Sequence, residues 1–149
     1  MRRVGVTAAT LVLAFTAGGC GGAGQFAHSC GATDRRFIDQ ASVSMATLGA
    51  LATGYQNGDM SAREVAQQAF GAASRVEYVK PTDPSLKEAQ KLIASMFTEY
   101  GDALKLKASG KNAGSKMYRA YGLANFAHDV LAEASPGLAK QGCDVAPLL

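Results

Sequence analysis

From residue 34 onward, apolar side chains recur every three or four positions in four separate stretches, the period of amphipathic helices. Ile38, Ala41, Met45, Leu48, Ala52 and Tyr55, widened by Phe37 and Leu51, predict a first helix from about Asp34 to Gln56. Thr33 or Asp34 is placed to cap it, and Asn57-Gly58-Asp59 to end it. Ser61-Ala62-Arg63-Glu64 reads as a capping box opening a second helix, whose stripe is Val65, Ala69, Ala72, Val76 and Val79 and which Pro81 stops. Asp83 as cap and Pro84 at the first helical position open a third, with Leu86, Ala89, Ile93, Met96, Tyr100 and Ala103 in its stripe. After the loop Ser109 to Gly114, a fourth helix is expected from about Ser115 to Ala134, burying Met117, Ala120, Tyr121, Ala124, Ala127 and Leu131. Ser135-Pro136-Gly137 is expected to break it, leaving a short tail with room for one more helical turn.

No strand-like alternation competes with this pattern. Short connections favour antiparallel neighbours, so the expected fold is all-α: an up-down-up-down four-helix bundle forming one domain over residues 34–149. Alanine and glycine occupy many facing positions, which predicts a thin, closely packed core without a large ligand cavity. Phe70, Phe97, Tyr100, Tyr118, Tyr121 and Phe126 would supply bulk, with Tyr118 the one expected to face outward.

Ahead of the helices the pattern changes to a continuous apolar run. Two arginines, Arg2 and Arg3, precede the twelve residues Val4 to Phe15. As a helix this run rises about 18 Å, too short for a hydrocarbon core of about 30 Å, so residues 1–19 read as an export signal. Ala17-Gly18-Gly19-Cys20 resembles the lipobox of bacterial lipoproteins, in which the signal is cut before a cysteine that becomes diacylated. The resemblance implies lipidation at Cys20, a membrane anchor on the extracytoplasmic side and a tether over residues 20–33. The family usually carries leucine where Ala17 stands, which keeps release near Gly21-Gly22-Ala23, and hence a secreted protein, as the alternative.

With Cys20 assigned to lipid, Cys30 and Cys143 remain as a pair flanking the predicted helices, in a compartment that permits disulfides. In an up-down-up-down order they meet at one pole, joining the two ends of the bundle, with two free thiols or an intermolecular bridge as the alternatives. Neither lies in a CxxC motif, so redox catalysis has no support.

Charge narrows the partners. Two of the 15 basic residues lie in the signal, so the chain from Cys20 carries 13 basic against 12 acidic side chains, which argues against nucleic acid. Between Asp102 and Asp129 every charged residue is basic: Lys105, Lys107, Lys111, Lys116 and Arg119. With Tyr118 they form a candidate binding surface for an envelope protein or an anionic wall polymer, against the ordinary reading of a solvated loop. The opposing pair Glu99 and Asp102 reads as solvated surface charge.

Chemistry for catalysis is sparse. His28 lies in the lead-in, and His128 reads as a half-buried structural residue. Hydrolase, zinc-protease, phosphate-loop and dinucleotide motifs are absent from the sequence, as is the di-iron pattern of bundle proteins. Four-helix cytochromes hold haem between a methionine on the first helix and a histidine on the fourth. Met45 and His128 sit on those helices, but at levels differing by roughly 6 to 8 Å, so both read as structural and no cofactor is expected. The expected function is therefore a non-enzymatic, membrane-anchored binding module of the cell envelope, with a small-ligand or cofactor carrier using the bundle interior as the alternative.

Overall fold

The computed structural model describes residues 30–149; the signal, Cys20, most of the tether and His28 lie outside the described residues. Four helices, α1 (Ala32–Asn57), α2 (Ala62–Tyr78), α3 (Pro84–Ala108) and α4 (Gly114–Lys140), are followed by a 3₁₀ turn, Ala146–Leu148. The fold is all-α, and no strand occurs among the described residues. The Cys30–Cys143 disulfide ties the residue before α1 to the tail after α4 across 113 positions.

Local signals account for most boundaries. Ser61 accepts from the Glu64 amide while the Glu64 carboxylate accepts from the Ser61 amide at 2.8 Å, the capping box foreseen for α2. Asp83 Oδ1 accepts from the amides of Ser85 (2.8 Å) and Leu86 (3.2 Å), satisfying two donors that the first turn of α3 leaves unpaired. Two expectations need correction. The residue at the start of α1 is Gly31, without a side-chain cap, because Asp34 is engaged elsewhere. Pro136 does not break α4: it sits on the exposed face, and the buried Leu138 draws the last turn onto the core. The helix stops after Lys140, where Gly142 takes φ 75° and the Cys143 amide donates to the Leu138 carbonyl at 2.9 Å, a Schellman-type closure.

Asp34 and Gln90 fasten the corner between α2 and α3. Asp34, buried in the first turn of α1, accepts from the Thr82 amide (2.5 Å), the Thr82 hydroxyl (2.6 Å) and the Asp83 amide (3.1 Å). Gln90 of α3 donates to the carbonyls of Val76 (2.8 Å) and Val79, which α2 leaves free as it ends. Burial pushes the Asp34 carboxyl up. The opposing hydrogen bonds from Thr82 and Asp83, with Lys87 nearby, prevail and hold it below the ordinary aspartate value.

Packing is uneven. α3 lies against α2 and α4 along its length, whereas α1 rests mainly on α2 and only lightly on α3. The main core joins Phe37, Ile38, Val76, Leu86, Ile93, Phe97, Leu131 and Leu138 with Val145 and Leu148 of the tail. Each large side chain so buried contributes about 1.5 to 3 kcal/mol. A smaller cluster packs Val65, Ala66 and Leu104 with Phe70, Tyr100, Leu51 and Met60. No Cα of α1 comes within 8 Å of a Cα of α4; the 3₁₀ turn touches both helices. The helices thus form a bundle with one seam open along part of its length.

Candidate functional site: the groove between the first and fourth helices

The open seam is an apolar groove of about 270 Å³. Met45, Leu48, Gly49, Ala52 and Gln56 of α1 form one wall, Met117, Ala120, Tyr121 and Ala124 of α4 the other, and Met96, Phe97 and Tyr100 of α3 lie between them. Small residues on both walls create the space. An added Cβ at Gly49 would meet nothing within 4 Å. Elsewhere glycine does the opposite: at Gly101 an added Cβ would stand 2.8 Å from Phe70, so α2 and α3 close on each other there. Beside the thin core expected from the sequence lies an open groove rather than a large cavity, because small side chains closed one seam and left another open.

The open seam also explains the misplaced aromatic residues. Tyr121, expected in the core, is 66% exposed because α1 does not reach its flank of α4. Met117 and Ala124 are likewise only half-buried. Phe126, expected to add core bulk, is 64% exposed, on the outward side with Tyr118, Gly122 and Leu123. Tyr118 faces outward as expected, at 83%.

The groove's polar atoms belong to Gln56, Tyr100 and Tyr121. Burial, reinforced by the neighbouring phenols of Tyr121 and Tyr55, pushes the Tyr100 hydroxyl above the ordinary tyrosine value, so it remains a neutral donor. Lys107 Nζ lies 5.1 Å from the centre of the Tyr55 ring, a cation–π distance, bringing a positive charge to the tyrosine-rich end.

The basic stretch is divided in two. Lys116 of α4 pairs with Glu99 at 3.0 Å and Asp102 at 3.1 Å, and Arg119 pairs with Glu99 at 3.3 Å. These bonds stitch α4 to α3 and hold the Lys116 ammonium above its ordinary pKa. Glu99 and Asp102 are therefore interhelical partners rather than solvated charges; the packing of α3 on α4 brings acids separated in sequence opposite the basic run. Lys105, Lys107 and Lys111 make no ion pair among the described residues.

The remaining candidates do not converge. Met45 lines the groove, whereas His128 does not; its side chain is 54% exposed and its Nδ1 lies 3.6 Å from Asp129. The half-buried role expected for His128 is thus corrected: its flank of α4 has no helix over it. No group of three or more histidine, cysteine, aspartate or glutamate residues among those described could hold a metal ion, and no described helix is long and apolar enough to cross a membrane. The groove itself was missed in the sequence. Its one signal was the pairing of methionine with glycine or alanine on both walls, Met45-Gly49-Ala52 and Met117-Ala120-Ala124. No protein-family model matches the chain, and searches of curated proteins and of solved structures returned no significant match.

Proposed function

We propose that this chain is a non-enzymatic, extracytoplasmic lipoprotein, anchored through Cys20, that holds a small apolar ligand in the groove between α1 and α4. The carrying observation is the groove, an apolar cleft lined by three methionines and two tyrosines. Concave apolar surface with a few polar groups is the usual character of small-molecule sites, and methionine adapts to irregular ligand shapes. The groove favours the interior-binding reading over one based on the basic stretch, since two of that stretch's cations are neutralised within the protein. The non-enzymatic assignment is supported by the use of Asp34, Glu64, Glu99 and Asp102 in structural bonds.

In this reading the helices run up-down-up-down. The disulfide brings the start of α1 to the end of α4, and Asp34 brings the α2–α3 corner to the same pole. The tether from Cys20 then leaves from that pole, with the groove in the half away from the membrane. Lys105 in the last turn of α3 and Lys111 in the loop after it remain available to an anionic wall polymer or envelope protein. Two measurements test the proposal. Lipid-precursor labelling should mark the wild type and not Cys20→Ser; label on both, or on neither, removes the anchor. Mass spectrometry of protein purified from envelopes should find an apolar small molecule with the wild type and not with Gly49→Leu, which fills the groove; equal recovery removes the groove as the site.

A further inference from the structure

We propose that the groove between α1 and α4 takes the alkyl chain of a fatty-acid-type carboxylate, with the carboxylate at the end marked by Gln56, Tyr100 and Lys107. The proposal rests on the groove-binding reading and specifies its ligand. Three observations lead to it.

The first is shape. Along α1 the lining runs from Met45 to Gln56, about 16 Å at the helical rise, comparable with an extended dodecyl chain. The volume of about 270 Å³ falls near the lower limit of small-molecule sites, roughly 300 Å³, which suits a molecule one methylene wide better than a row of side chains from a partner helix. The second is polarity. Met45, Leu48, Gly49, Ala52, Met96 and Phe97 offer no side-chain hydrogen-bond donor to a ligand, so the interior selects an alkyl chain. Each methylene withdrawn from water there strengthens binding about fourfold.

The third is charge complementarity at one end. Gln56 and Tyr100 place an amide and a neutral phenol on the groove, and both can donate to a carboxylate. Lys107 follows Tyr100 on α3 by two helical turns and lies over Tyr55, without a carboxylate of its own among the described residues. Asp102 and Glu99, the nearby acids on α3, are already occupied by Lys116 and Arg119. An incoming anion is the partner these groups lack.

The test uses the exported chain carrying Cys20→Ser, so that no lipid anchor competes, with dodecanoate and dodecan-1-ol as ligands in calorimetric titrations. Dodecanoate should bind at one site per chain and more tightly than the alcohol. Gly49→Leu should weaken both by on the order of tenfold while its thermal midpoint stays level or rises, since the new side chain enters open space. Lys107→Gln should weaken dodecanoate about two- to fivefold, as for an exposed ion pair, and leave the alcohol unchanged. Absence of dodecanoate binding, indifference to Gly49→Leu, or equal effects of Lys107→Gln on acid and alcohol would each overturn the proposal. If dodecanoate fails while Gly49→Leu still strips the small molecule recovered from envelopes, the groove remains the site and only the fatty-acid assignment falls.

Discussion

The two ends of the seam between α1 and α4 differ in the presence of a filler. Near the disulfide the tail returns between the helices: Cys143, Val145 and Leu148 are buried, and the 3₁₀ turn lies against both α1 and α4. Along Met45 to Gln56 and Met117 to Ala124 nothing returns, and the same two helices leave a groove. A bundle in which two neighbouring helices stand apart closes wherever another segment supplies side chains and stays open elsewhere. Stability therefore concentrates at the pole that carries the disulfide and Asp34, and ligand-accessible apolar surface concentrates in the other half.

The strongest way to break this contrast is to remove the staple. A crosslink spanning 113 positions limits the unfolded chain by about 4 to 5 kcal/mol in the loop-entropy model. Cys143→Ser, or reduction of the wild type, should lower the thermal midpoint by on the order of 15 °C. Equal melting of oxidised and reduced protein would mean that the closed pole holds without its bridge.

Asp34 gives the next effect. Asp34→Ala leaves the Thr82 and Asp83 amides without their acceptor and should cost about 2 to 3 kcal/mol in urea unfolding at neutral pH. Because the folded carboxyl is held below its ordinary value of 3.8, its contribution is fully present above that pH and is lost as pH falls through the lower folded value. Urea midpoints of the wild type should thus decline more steeply below pH 4 than those of Asp34→Ala. Parallel decline would remove Asp34 as the source of acid sensitivity at this pole.

The contrast also marks what the sequence could disclose. Periodicity, the Ser61 and Glu64 box, Asp83-Pro84 and the cysteine pair announced the helices and the staple, because each acts over a few residues or by elimination within the chain. Pro136 misled because breaking a helix is a local rule, whereas Leu138 answers to a distant core. Glu99 and Asp102 were invisible as partners of Lys116 and Arg119, since the packing of α3 on α4 that joins them is a tertiary fact. The groove was hidden for the same reason: a stripe of alanine and methionine reads identically whether another helix covers it or not. Tyr121 carries that ambiguity in one residue, being in phase with the core stripe yet beyond the reach of α1.

The smallest expected effect is the sharpest probe of the seam, because one chemical change can be made on a closed face and on an open one. Replacing glycine by alanine within a helix favours the helix by up to about 1 kcal/mol. At Gly49 the new methyl group meets nothing within 4 Å, so Gly49→Ala should keep most of that gain. At Gly101 it would stand 2.8 Å from Cε1 of Phe70, and displacing a packed ring costs about 1 to 3 kcal/mol, which offsets or exceeds the gain. Urea midpoints should therefore rise for Gly49→Ala and hold or fall for Gly101→Ala, separating the variants by about 1 to 3 kcal/mol. If Gly49→Ala destabilised the fold, α1 would be packed on α4 in solution and the groove closed; if both variants gained equally, Phe70 would yield freely and the closed face would be no tighter than the open one.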